Sequence, residues 1–236
     1  MGERSIARVG AAAGLVCVVL SLLAGFIYPQ QPRIDSPAST TLQWVTGNRV
    51  ALQTGMTLGL FAAGAFLWFV GYLRTALVAD AGGGESLAPV VFSTGIATGV
   101  LSALGVLPPA LLAFMAAQPA GVPDATTVRM LGDLNLVLFA VTSLVTGVFL
   151  LALGLAVLRR NLTVPAWLGW LSLAAAALNA VTVWIAMTFS SYHGTAWTGV
   201  AFSAFIGYLV VVSVTSVTLL RRAGTRAAPR PAAVTP

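Results

Sequence analysis

Six long apolar runs, none with an acidic or basic residue at its centre, constrain this chain more than any other feature. They are Val9–Tyr28, Val50–Leu73, Pro89–Leu112, Leu134–Leu158, Trp167–Phe189 and Val200–Leu220. A helix needs about 20 apolar residues to cross a hydrocarbon core of about 30 Å, and each run meets that length. Composition agrees: of 236 residues, 58% are hydrophobic and 8% charged. A soluble domain carries roughly 25% charged residues, so this chain lacks the charge to cover a water-facing surface. An ordinary soluble globular protein and a long disordered chain are both excluded. The expected fold is all-α, a polytopic transmembrane bundle of six helices within residues 1–222. Arg4 and Arg8 precede the first run as they would in a signal peptide. That run exceeds the usual apolar region of ~7–15 residues and no small-x-small cleavage site follows, so it reads as a retained span.

Charge sets the expected orientation. All twelve basic residues are arginine, and cytoplasmic flanks of spans carry the excess of positive charge. With the N-terminus inside, Arg4, Arg8, Arg74, Arg159, Arg160, Arg221, Arg222, Arg226 and Arg230 are cytoplasmic, against Arg33, Arg49 and Arg129 outside. Both termini are therefore expected in the cytoplasm. The stretch 223–236, rich in Ala, Pro and Arg, has no core to join and is expected to be a disordered cytoplasmic tail. The net charge of +6 is accounted for by topology and anionic headgroups, so nucleic acid is not an expected partner. The bilayer is.

Apolar residues gain little by leaving lipid for one another, so small residues must let the helices approach. Gly10/Gly14, Gly55/Gly59 and Gly95/Gly99 all have GxxxG spacing. Thr94, Thr98 and Ser102 place three hydroxyls on one face of the third span. Asn179, midway along the fifth, is expected to bond a neighbouring helix. Pro108-Pro109 lack amide hydrogens and clash with the carbonyls of Leu104 and Gly105, so the third span should kink or stop there. A faint repeat aligns Gly64-x-Phe66-Leu67-x-x-x-Gly71 with Gly147-x-Phe149-Leu150-x-x-x-Gly154, each preceding an arginine.

Catalytic patterns are missing. Cys17 is the single cysteine and His193 the single histidine, so a cysteine metal cluster and a bis-histidine haem within one chain are impossible. There is no HExxH, P-loop or GxSxG. No cofactor and no metal site is expected. The remaining polar residues gather near the outer ends of spans: Arg49 with Gln53 one turn deeper, Arg129 and Asp133 at (i, i+4) spacing with Asn135 beyond, and His193 beside Tyr192 and Trp197 in the last outer loop. Two arginines, a carboxylate and an imidazole at one depth could recognise a phosphate or carboxylate. Helix-end anchoring explains the same residues, and Arg129–Asp133 is also a plain intrahelical pair.

Arg8-x-Gly10, Trp44, Asn48-Arg49 and Leu162-x-x-Pro165-x-Trp167-Leu168-Gly169-Trp170 together resemble six-span integral membrane proteins of high-GC actinobacteria. That family carries no established activity, so the resemblance implies architecture and a bacterial plasma membrane, and transfers no catalytic residue. Three functions stay open. The first is a non-enzymatic protein that binds or passes a small amphipathic molecule or lipid. The second is an accessory or scaffold subunit gripping a membrane protein partner, or a second copy of itself, through outward-facing GxxxG surfaces. The third is an intramembrane enzyme acting on a lipid-like substrate, with His193 or Asp133 as acid or base.

Overall fold

A computed structural model describes residues 3–29, 32, 36–80, 87–117, 123–159, 164–188 and 195–225. These form eight helices and, among the described residues, no strand: α1 (Glu3–Ile27), α2 (Ala38–Gly47), α3 (Arg49–Asp80), α4 (Ala88–Gly105), α5 (Leu107–Met115), α6 (Ala125–Arg159), α7 (Ala166–Thr188) and α8 (Thr195–Thr225). With α4 and α5 taken together, six spans are long and apolar enough to cross a membrane. The chain thus has the architecture of a multi-pass membrane protein. Ala223–Thr225 belong to α8, and the rest of the expected disordered tail lies outside the described residues.

The third span breaks where the two prolines require it. Val106 closes α4 by donating its N–H to Ala103 O (3.4 Å), and its own carbonyl accepts from Ala110 N–H (3.2 Å). Pro108 and Pro109 occupy the first turn of α5, where a missing N–H costs nothing. Helix α6 starts nine residues before the apolar run Leu134–Leu158 because Asp124 caps it: Thr127 N–H donates to Asp124 Oδ1 at 2.7 Å. That bond holds the Asp124 carboxyl below the usual carboxylate range. A lowered native pKa stabilises the fold above the ordinary value of about 3.9, and the gain is lost as pH falls through the native value. Thermal unfolding of the wild type should therefore weaken more between about pH 6 and about pH 2 than that of Asp124→Ala. An equal pH dependence in the two would show that the cap does not operate.

The six spans form a closed ring. Helix α1 packs on α3, α3 on α4, α4 on α6, α6 on α7, α7 on α8, and α8 back on α1. Glycines fix these seams. A Cβ at Gly10 would lie 2.5 Å from Tyr72 Cβ, and one at Gly14 would meet Ser216 Oγ and the Phe69 ring. Added to Gly95 or Gly99, it would strike Val70 (2.7 Å) or Leu67 (2.6 Å) across the α3–α4 seam. At Gly154 it would meet Gly169 O at 2.9 Å between α6 and α7, and at Gly207 it would meet Ala175 Cβ at 3.0 Å between α7 and α8. The Gly10/Gly14 and Gly95/Gly99 surfaces are thus used inside the bundle, not turned outward as a scaffold subunit would need.

Neighbouring spans run antiparallel, so Arg8, Arg74, Arg159, Arg221 and Arg222 share the end at which α1 begins, whereas Arg49 and Arg129 lie at the far end. At the first end Arg222 Nη1 and Asp80 Oδ2 form a 2.6 Å ion pair that ties α8 to α3. Behind it, Phe69, Val70, Leu73, Val91, Phe149, Leu150, Leu153 and Val212 pack a solid half-bundle. The far end holds a smaller cluster of Val45, Leu52, Met56, Leu112, Ala113, Val128 and Leu131. Helix α2 contributes Val45 to it and packs on α3, α5 and α6.

Candidate functional site

Between the solid half and the far-end cluster the ring encloses a cavity of about 440 Å³, inside the ~300–1,000 Å³ range of small-molecule sites. All six spans line it. It is neither sealed nor a shallow dish: Phe139 and Phe205, in its wall, are 41% and 39% exposed. Small residues make the space. Gly55, Gly59, Ala62 and Ala63 form one face of α3 in its wall, and a Cβ built at Gly59 meets nothing within 4 Å.

An aromatic junction closes the cavity toward the end where α1 begins. The Phe66 ring lies edge-on to Phe149 at 5.6 Å and 82°, and to Tyr208 at 5.5 Å and 66°. It also contacts Phe69 at 6.2 Å. Such contacts stabilise by about 0.5–1.5 kcal/mol each beyond area burial. They join α3, α6 and α8 across the axis, and among the described residues the cavity lining on these helices reaches no nearer that end than Phe66, Thr146 and Tyr208. At the lip, the Tyr28 and Trp44 rings stand edge to face at 6.2 Å.

Among the described residues the wall is apolar apart from hydroxyls, one thiol and one amide. Thr142 in the wall, like Thr182, Thr215 and Thr218 elsewhere in the bundle, donates to the carbonyl four residues back, at 2.7–2.9 Å, the usual way to satisfy a hydroxyl in a helix. Thr98 does not. It is 2% exposed, lines the cavity, and its Oγ1 has no hydrogen-bond partner. Asn179 also lines the cavity; its Nδ2 donates to Ala175 O of its own helix at 2.8 Å, and not to a neighbouring helix as expected. Its Oδ1 accepts no hydrogen bond among the described residues. Cys17 Sγ lies 4.0 Å from Ser21 Oγ on the α1 wall.

The polar residues singled out in the sequence lie elsewhere. Arg49 is exposed at the start of α3 with half-buried Gln53 one turn on, while Arg129 and Asp133 are exposed and Asn135 half-buried near the start of α6. None of the five lines the cavity, and Arg129 and Asp133 form no ion pair among the described residues. His193 and Tyr192 lie outside the described residues, as does the side chain of Trp197. Among the described residues no three His, Cys, Asp or Glu side chains come together as a metal site would require. Thr98, Ser102 and Asn179 were visible in the sequence as hydroxyl and amide positions, but nothing there showed that they surround a space. Comparison of the chain with family models, curated proteins and solved structures finds no match.

Proposed function

We propose that this chain is a multi-pass protein of a bacterial plasma membrane that binds a small amphipathic molecule or lipid in its axial cavity. The cavity itself carries the reading: about 440 Å³, walled by all six spans, largely apolar and lined from the half of each span away from the end where α1 begins. Arginines crowd that closed end, and such charge marks the cytoplasmic face. Both termini are then cytoplasmic and the cavity takes its ligand from the outer side. Passage to the other face would require the Phe66 junction to part; binding requires no such movement. The space admits one acyl chain or a compact amphiphile rather than a whole two-chain lipid.

The direct test is native mass spectrometry of the full chain purified in a mild detergent. One copy of a small molecule per chain is the expected result, and its mass identifies the ligand class. A chain that is empty, and stays empty when bacterial lipid extract is added back, overturns the reading.

A further inference from the structure

Depth along the helices sorts the cavity wall by chemistry. Because neighbouring spans are antiparallel, distance from the closed end follows from position in each helix. Deepest, beside Phe66, lie Cys17, Thr98, Thr146 and Asn179, from four different spans. Ser21, Ser102 and Ser143 sit about one turn nearer the mouth. Beyond them the described wall turns to Ala24, Met56, Gly59, Val106, Ala201 and Phe205, with only the Tyr28 hydroxyl and the Trp44 indole as polar groups at the lip among the described residues. Among the described residues no Asp, Glu, Arg, Lys or His lines the space.

This polarity is the reverse of a lipid lying in its own leaflet, whose polar end stays at the surface. From it we infer that the bound molecule is an uncharged, hydroxyl-bearing amphiphile, seated with its hydroxyl at the floor and its apolar part toward the mouth. The inference rests on the cavity being a binding site, as proposed above. Thr98 Oγ1, buried and unpartnered, has an O–H to donate, and Asn179 Oδ1 has lone pairs to accept. A hydroxyl suits either group, since it can accept from Thr98 or donate to Asn179. An ionised head has no counter-charge among the described residues of the wall, and moving a charge into such a site without one is far costlier than moving a hydroxyl. A pure hydrocarbon would leave the Thr98 hydroxyl unsatisfied.

Three photoreactive probes test this in lipid nanodiscs: dodecanol, dodecanoate and dodecyltrimethylammonium, each with a diazirine beside the head, the cross-linked peptides being read by mass spectrometry. The alcohol should label the Thr98 and Asn179 segments, and the two ionised probes should not. Thr98→Val should weaken the alcohol's labelling about fivefold, the effect of one neutral hydrogen bond, and Thr98→Ser should restore it. Labelling of the floor by either ionised probe as strong as that by the alcohol overturns the inference. So does alcohol labelling confined to Met56, Ala201 or Phe205 at the mouth, which would leave the cavity reading standing. If no probe labels any cavity residue, the inference and the cavity reading fail together.

Discussion

Gly59→Phe should empty the cavity while leaving the bundle folded. A new side chain at this position starts in open space, since a Cβ there meets nothing within 4 Å, and it grows into the volume bounded by Met56, Ala62 and Ala63 on its own helix. The overpacking cost of about 1–3 kcal/mol that follows when a core is already full does not arise. Replacing an interior helical glycine should instead favour the helix by up to about 1 kcal/mol. Binding should fall by more than about tenfold, at least 1.4 kcal/mol, because the ring occupies the ligand's place. Thermal unfolding and native mass spectrometry of the same preparation read the two effects separately. A variant that unfolds would mean the space is not there. One that keeps its bound molecule would place the site elsewhere.

The opposite outcome is expected at Gly154→Leu. Here the first added carbon would lie 2.9 Å from Gly169 O and 3.1–3.2 Å from Leu173, and Gly169 is itself pressed against Leu158. The obstacle is backbone, which cannot rotate aside, so α6 and α7 must separate. A loss of about 3 kcal/mol or more is expected, the upper end for overpacking, seen as a lower melting temperature and lower yield of folded protein. Gly71 is its control. It occupies the matching position of the Gly-x-Phe-Leu repeat, yet a Cβ there meets nothing within 4 Å. Gly71→Leu should change stability by no more than about 1 kcal/mol. Equal losses at the two sites would show that the cost is not set by the α6–α7 contact.

That contrast shows where the sequence is readable. Phe66 and Phe149 match in the repeat, and both are fully buried and touch each other; Gly71 and Gly154 match equally well and do unrelated things. Spans are legible because each is a local property, about 20 apolar residues in a row. The break at Val106 is legible because proline acts on its own backbone. Helix α2 was not, since Ala38–Gly47 is too short to cross and, with its threonines, reads as a connection. The seven residues that carry α3 past Leu73 to Asp80 were also missed, being held partly by a partner, Arg222, 142 positions away. The cavity lies furthest from local reading. Thr98, Ser102 and Asn179 look like interhelical packing until the rotation of every helix is known. Arg49, Gln53, Arg129, Asp133 and Asn135 drew attention as a polar group at helix ends, where such residues also serve as anchors.

The seam between α1 and α8 has a consequence for how the protein is made. These helices come from opposite ends of the sequence, yet Gly14 fits against Ser216 and the cavity wall needs both Ser21 and Ala204. Five spans can emerge from synthesis and pack in order, each against the one before it, but they form only an open crescent whose polar floor lipid can reach. The cavity is walled all round only when the last helix docks on the first, so a nascent chain halted before α8 has Thr98 and Asn179 but no enclosed space between them.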